Sequence, residues 1–190
     1  MEDIGEGTSH LNQGDEYYRH GRYDEALALF EKELKIDHNN SAVWFSHGTV
    51  LSRLHRYNEA IVSFDKALKI NPNFSEAWEH RGIALFNIGR YEEALASNDK
   101  AIMIHPGYAG AWNGRGTVLF KLHRYDEAIV SYDFALRINP DMYQAWNNRG
   151  VALAEIERYK EAIESYEKAL NINPDYTEAR HNLERVLKQQ

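Results

Sequence analysis

The sequence predicts an all-α fold, a right-handed α-solenoid of five 34-residue helix-turn-helix repeats followed by a C-terminal capping helix. Two observations predict it. The four tryptophans, Trp44, Trp78, Trp112 and Trp146, follow one another at intervals of 34 residues. In addition, no stretch of the chain alternates apolar and polar residues as a half-buried strand does.

The boundaries of the repeats follow from the same interval. It also links Tyr23, Tyr57, Tyr91, Tyr125 and Tyr159, the alanines three residues after each of these tyrosines, and the four prolines. We therefore place the repeats at 7–40, 41–74, 75–108, 109–142 and 143–176. An acidic tail at 1–6, expected to be disordered, precedes them, and a capping helix at 177–190 follows.

Each repeat is expected to form two helices. In repeat 75–108, the helices are predicted at about 75–88 and 91–104, separated by Gly89 and Arg90. Pro106 ends the second helix, because proline lacks the backbone donor that a helix interior needs. Acidic residues begin the second helices and complement the helix dipole. The segment 177–190 follows the register of a first helix, with Arg180 in place of tryptophan and Glu184 in place of glycine.

This pattern resembles the tetratricopeptide repeat (TPR). In the second repeat, the signature residues are Trp44, Gly48, Leu51, Ala60, Phe64 and Pro72. The chain departs from the family pattern at a few positions. The leucine before the signature glycine is replaced by His47, Arg81, Arg115 and Arg149, and His38 stands where the first repeat lacks its proline. His10 replaces a tryptophan, and Asn98 replaces a second-helix aromatic and needs a hydrogen-bond partner if it is buried.

Helical spacing separates scaffold residues from candidate binding residues. Trp112 is predicted to lie in the core. Gly48, Gly82, Gly116 and Gly150 are predicted to lie where the two helices of a pair approach closely, so that alanine would crowd the backbones. The resemblance implies that the opposite stripe of each first helix lines a concave binding groove. Its candidate residues are Phe45, Thr49, Arg53, Glu79, His80, Ile83, Phe86, Asn87, Asn113, Gly114, Thr117, Phe120, Lys121, Asn147, Asn148 and Val151.

A comparison of two repeats supports this division. Repeats 41–74 and 109–142 are identical at 20 of 34 positions, yet five of the six stripe positions differ. Selection for a ligand and free drift of exposed residues both explain the difference. The same two explanations apply to Gly110 and Gly114, which replace larger stripe residues and could leave a bare patch where a ligand approaches.

Composition and motifs exclude several other functions. A net charge of −7 without a basic cluster argues against nucleic-acid binding, and no run of about 18 apolar residues predicts a membrane span. The chain has no cysteine, no H-E-x-x-H and no G-x-S-x-G, so we expect no metal, no cofactor and no catalysis. The glycine-rich segment 107–116 does not match a phosphate-binding loop, because most of it fits the helical register.

We expect a non-catalytic scaffold that binds an extended peptide or helix of a partner protein. Within the TPR family, one known mode clamps the C-terminal carboxylate of chaperones with lysine, arginine and asparagine. The closest frame here offers Asn113, Thr117, Asn148, Glu178 and Asn182 without a cation, so the clamp is not expected. The alternatives are a structural element that self-associates through its ends and a substrate-recruiting fragment of a larger assembly factor or enzyme. The absence of cysteine and of an N-terminal secretory signal pattern favours the cytoplasm.

Overall fold

A computed structural model describes the backbone of residues 4–189 and the side chains of residues 10–189. Within residues 4–189 the chain forms eleven α-helices and no strand. The helices are α1 (Ile4–Arg19), α2 (Tyr23–Ile36), α3 (Ser41–Arg53), α4 (Tyr57–Ile70), α5 (Ser75–Asn87), α6 (Tyr91–Ile104), α7 (Ala109–Lys121), α8 (Tyr125–Ile138), α9 (Tyr143–Glu155), α10 (Tyr159–Ile172) and α11 (Thr177–Leu187). The all-α prediction and the pairing of helices within each repeat are confirmed.

The helices form two compact units. Unit 1, residues 1–104, holds the pairs α1–α2, α3–α4 and α5–α6; within it, α2 packs against α3, and α4 packs against α5. Unit 2, residues 105–190, holds the pairs α7–α8 and α9–α10, and α11 packs against both helices of the last pair. The predicted disordered tail lies partly outside the described residues, since residues 1–3 are not described, whereas residues 4–6 belong to α1.

In four of the five helix pairs, a glycine of the first helix faces an aromatic ring of the second. A Cβ atom on Gly48 would lie 2.7 Å from Cε1 of Phe64, and one on Gly116 would lie 2.6 Å from Cε1 of Tyr132. Phe64 and Tyr132 are buried. The expectation that these glycines allow close approach of paired helices is confirmed.

The third pair has an amide in place of the ring. Asn98 is 1% exposed, and its Nδ2 donates a hydrogen bond to the carbonyl oxygen of Ala94 at 3.0 Å. Its Oδ1 is buried without a partner. The expected hydrogen bond therefore exists on the nitrogen side of the amide only.

The tryptophans are half-buried rather than part of the closed core, which corrects the prediction for Trp112. Its indole stacks on Phe134 with ring centroids 4.5 Å apart, and Nε1 donates to the carbonyl oxygen of Pro106 at 2.9 Å. Trp44, Trp78 and Trp146 donate in the same way to His38, Pro72 and Pro140. The indole thus ties a first helix to the turn before it, and the donor must stay near the surface where that turn lies.

The turn between the two helices of a pair places one residue in the left-handed region. This residue is Gly21, His55, Gly89, His123 or Glu157, with φ between 58° and 77°. The following arginine pairs with a glutamate three residues later, as Arg56 does with Glu59 at 2.7 Å. The arginine supplies no side-chain cap to the second helix, so the acidic first turn and this ion pair mark its beginning.

The last helix continues the register of the first helices. Ala179 and Val186 of α11 are buried against the preceding pair. Arg180 occupies the tryptophan position, and its Nη2 donates to the carbonyl oxygen of Pro174. Arginine therefore replaces the indole as the donor to the preceding turn.

Candidate functional site

A cavity of about 480 Å³ opens on the first-helix face of unit 1. Five of the candidate binding residues line it, two from α3 and three from α5: Thr49, Arg53, His80, Ile83 and Asn87. These side chains meet because α3 and α5 are neighbouring first helices and the stripe positions share one side of each. The cavity thus combines the guanidinium of Arg53, the imidazole of His80 and the amide of Asn87 with the apolar side chain of Ile83, which is 43% exposed.

The remaining lining residues were not among the candidate binding residues. They are Tyr18, Tyr23, Ser52, His55 and Tyr57. Tyr18 could have been found from the sequence, because it holds the same stripe position in the first repeat as Ser52 holds in the second. Tyr23 and Tyr57 recur at the repeat interval, which suggests a purely structural role, and only the fold shows that they also border the cavity.

Arg53 is oriented by the preceding first helix. Its Nε donates to the hydroxyl oxygen of Tyr18 at 2.9 Å, and its guanidinium carbon lies 6.0 Å from the centre of the same ring. Ser46 joins the same two helices by donating to Asp15 at 3.2 Å, and burial raises the pKa of the Asp15 carboxyl. Arg53 is exposed, so its positive charge lies at the rim of the cavity, and the hydrogen bond to Tyr18 fixes the orientation of the guanidinium.

His80 presents a neutral imidazole to the cavity. Burial, and then the charge of Arg53, lower the pKa of His80 below its ordinary value of 6.5, against the opposing effect of Glu76. Its ring meets Phe45 edge-on at 5.0 Å, and Nε2 lies 3.6 Å from Oε2 of Glu79. A neutral imidazole both donates and accepts, so it can pair with either group of a peptide bond.

Two other predicted residues of unit 1 support the face rather than line the cavity. Phe45 packs between Phe74, at 4.8 Å, and His80. Phe86 packs on Tyr91 at 5.5 Å between ring centroids. Both rings are half-buried, so they fix the positions of neighbouring side chains.

Unit 2 carries a smaller set of polar stripe residues. Asn148 donates to Asn113 Oδ1 at 3.4 Å, and Thr117 donates to the carbonyl oxygen of Asn113 at 3.0 Å. Lys121 is exposed, and Gly114, Val151 and Phe120 are half-buried, the last packed on Tyr125 at 5.4 Å.

Asn147 does not fit the predicted role. Its side chain is fully buried, with 0% exposure, and Nδ2 donates to Glu178 of α11 at 3.3 Å. Its Oδ1 accepts a hydrogen bond from Asn182 at 3.0 Å. The amide of Asn147, which was predicted to bind a ligand, is therefore hydrogen-bonded to the capping helix α11.

Two further features of the structure concern metal binding and membrane spanning. Within residues 10–189 no three histidine, cysteine or acidic side chains are grouped as a metal ion would require. Within the described part of the chain, no helix has the length and apolar character needed to cross a bilayer.

Comparison with known families and structures agrees with the repeat architecture. Tetratricopeptide repeat models match residues 7–40, 45–110 and 113–177. No curated protein matches the chain. Among solved structures, a MamA protein is 27% identical with a TM-score of 0.77, and the alignment covers 90% of this chain and 93% of that one.

Two further structures are similar. YrrB, described as a TPR protein with an unusual peptide-binding site, is 25% identical with a TM-score of 0.73, over 90% of this chain and 89% of that one. TTC0263, a thermophilic TPR protein in Thermus thermophilus, is 24% identical with a TM-score of 0.77, over 96% and 99% of the two chains. The last supports the fold alone.

Proposed function

The chain belongs to the tetratricopeptide repeat family, and on that premise we propose that it is a non-catalytic module that binds an extended peptide or a helix of a partner protein. The binding surface is the first-helix face, with the cavity of unit 1 as its main contact. The observation that carries the proposal is the meeting of Thr49, Arg53, His80, Ile83 and Asn87 in that cavity. YrrB, with its peptide-binding site, supports a ligand of this class.

The chemistry of the cavity suits a peptide. Ile83 offers an apolar contact, while Asn87 and neutral His80 offer donors and acceptors for backbone amides. The three tyrosines at the rim supply contact area at a low cost in side-chain entropy. Arg53 favours a ligand that brings a carboxylate close to Tyr18.

Selection of peptides from a random displayed library on the purified protein tests the proposal. We expect enriched peptides that bind wild type and lose about tenfold or more in affinity with the I83A/N87A variant. The matched control V130A/K160A removes one exposed apolar and one exposed polar side chain from second helices of unit 2 and should bind like wild type. Equal binding to I83A/N87A and wild type would contradict the proposal.

A crosslinking arm locates the contact directly. A photoreactive amino acid at Ile83 should capture the selected peptide, whereas the same residue at Val130 should not, although Val130 is the more accessible, at 51% exposed against 43% for Ile83. Capture at Val130 alone would place the ligand on the second helices instead.

A structural role through self-association is the alternative function. Sedimentation velocity over a range of concentrations distinguishes the two, because an assembly element forms larger species as concentration rises. A monomer that still binds the selected peptides supports the binding module.

A further inference from the structure

Unit 1 has a second cavity, of about 430 Å³, on the side of the second helices. It lies where the second repeat packs on the first, between α2, α3 and α4. Leu34, Leu51 and Val62 supply its apolar lining, and Trp44 and His47 its aromatic lining. None of its lining residues belongs to the cavity of the first-helix face.

At two other repeat junctions, an arginine of the chain fills the equivalent place. Nε of Arg81 donates to Asp65 at 2.7 Å, and Nη1 donates to Ser97 at 2.7 Å. The guanidinium carbon lies 5.8 Å from the centre of the Trp78 ring. The arginine therefore links the second helix of one repeat to both helices of the next.

Arg149 repeats this arrangement in unit 2. It donates to Asp133 and to Ser165, each at 2.7 Å, and lies 6.0 Å from the Trp146 ring centre. Two independent junctions thus show what a guanidinium contacts at this position: a carboxylate, a serine hydroxyl and a tryptophan ring.

The junction between the first two repeats keeps the acceptors and lacks the arginine. Glu31 stands one repeat before Asp65, Ser63 one repeat before Ser97, and Trp44 one repeat before Trp78. His47 takes the arginine position, and its Nδ1 forms a hydrogen bond with Ser63 at 2.9 Å. The shorter imidazole leaves Glu31 with no hydrogen bond or ion pair among the side chains of residues 10–189.

The charges around the cavity leave Glu31 as the available anion. Glu59 is paired with Arg56, and Nζ of Lys66 lies 3.9 Å from the Trp44 ring centre. Lys35, one turn after Glu31, and Lys66 also line the cavity, and both Glu31 and Lys35 are exposed to solvent, which screens the charge of Lys35. Burial lowers the pKa of His47, so its imidazole is neutral near pH 7 and does not repel an incoming cation.

We propose that this cavity binds the side chain of an arginine presented by a partner protein. The guanidinium pairs with Glu31 beside the Trp44 ring, as Arg81 and Arg149 pair with Asp65 and Asp133 beside their own tryptophans. At this junction the guanidinium also borders the imidazole of His47, which lines the cavity. The aliphatic part of the side chain covers Leu34 and Val62, the latter 53% exposed. This inference is independent of the first-helix face, because the two cavities share no residue.

The test uses the capped tripeptide acetyl-Gly-Arg-Gly-amide and follows ¹H–¹⁵N spectra of the full chain. We expect saturable shifts of the Trp44 indole N–H and of amides in α2 and α3. The lysine analogue should bind more weakly, by roughly fivefold, because an ammonium lacks the planar fork of donors. Absence of shifts, or equal shifts with the lysine analogue, would overturn the proposal.

Two variants and one control complete the test. In H47R, the chain supplies its own arginine, so the tripeptide should no longer shift these signals, while circular dichroism remains that of wild type. E31Q should weaken binding about tenfold. E167Q removes an exposed carboxylate from α10 and should leave binding unchanged. Unchanged binding by both H47R and E31Q would overturn the proposal.

A complementary variant asks whether the cavity can be created elsewhere. R81H removes the internal arginine between the second and third repeats and leaves Asp65 and Ser97 in place. The tripeptide should then shift the indole signal of Trp78 as well as that of Trp44. Shifts at Trp44 with none at Trp78 in a folded R81H protein would contradict the assignment of these acceptors as the groups that bind the guanidinium.

Discussion

Nη2 of Arg180 lies 2.5 Å from the carbonyl oxygen of Pro174 and donates a hydrogen bond to it. In the earlier repeats, the same bond to the preceding turn is made by the indoles of Trp44, Trp78, Trp112 and Trp146. R180A should cost about 1 kcal/mol, since the turn loses a charge-assisted donor, and R180W should restore the lost stability. Amide hydrogen exchange checks this, because the loss should appear in α11 first. Equal exchange in R180A and wild type would show that the buried contacts of Ala179 and Val186 alone hold the helix.

Alanine at the paired glycines should have effects that depend on the facing residue. G116A drives a Cβ to 2.6 Å from Tyr132, and we expect a cost of roughly 1–3 kcal/mol in the free energy of unfolding. A Cβ in G82A would lie 3.0 Å from Nδ2 of Asn98 and 3.3 Å from the carbonyl oxygen of Ala94, both farther than the Tyr132 ring in G116A. Alanine favours the helix by about 1 kcal/mol in both variants, so the milder crowding should make the cost of G82A the smaller one. Urea denaturation of the two variants measures the difference, and a larger cost for G82A would contradict this explanation.

Glycine at the strained turn positions should stabilise the protein. Glu157 has φ of 61°, a conformation that costs non-glycine residues roughly 1–2 kcal/mol, so E157G should gain about 1 kcal/mol. H123G should gain less, because it also loses the hydrogen bond between His123 Nδ1 and the Tyr125 hydroxyl at 2.7 Å. Thermal unfolding ranks the two variants, and a loss of stability in E157G would refute the argument from strain.

The first repeat carries a buried pair that the later repeats lack. Glu33 is 3% exposed where the later repeats have alanine, and its Oε2 lies 3.1 Å from Nδ1 of His10. H10A should destabilise the protein by about 1–3 kcal/mol, because a buried carboxylate loses its partner. Adding E33A to H10A should recover most of that loss. A double-mutant cycle measures the coupling, and additive effects would mean that the pair is not coupled.

Stability should fall in mild acid because of two half-buried imidazoles. In the unfolded chain, His47 and His80 titrate near pH 6.5, and burial lowers the pKa of both in the folded protein. Below pH 6.5 the unfolded chain therefore binds more protons than the folded one, so the free energy of unfolding decreases as pH falls toward the folded pKa values. Urea denaturation from about pH 8 to about pH 5 should show this decrease in wild type and a weaker one in H47Q/H80Q. Equal slopes would contradict the assignment.

The repeat interval was sufficient to predict the helices and the packing glycines, because one spacing fixes both the turn positions and the faces. It was insufficient for residues whose environment depends on a neighbouring helix. Asn147 holds a stripe position, but α11 buries it, and no periodic pattern shows how closely a terminal helix packs. Trp112 matched a core position, yet its indole must reach a turn carbonyl near the surface.

The binding face shows the same limit. Five of the residues that line the unit 1 cavity were among the candidate binding residues, because side chains on one helical face converge when first helices are adjacent. Tyr57 and His55 belong to a second helix and a turn, and only the three-dimensional packing brings them to the rim. The absence of an arginine at position 47 is visible in the sequence, but its consequence is not. Only the contacts of Arg81 at the next junction show which groups a guanidinium would bind there.

The tether between each tryptophan and its turn has an optical consequence. The four indoles hold the same backbone position, but Trp44 faces the ammonium of Lys66 and Trp112 faces the phenyl ring of Phe134. A nearby charge shifts the emission wavelength of an indole, whereas a stacked phenyl ring carries no charge and causes no such shift. The fluorescence of this protein is therefore a sum of signals that differ between repeats, and each signal reports on the turn to which its indole is bonded.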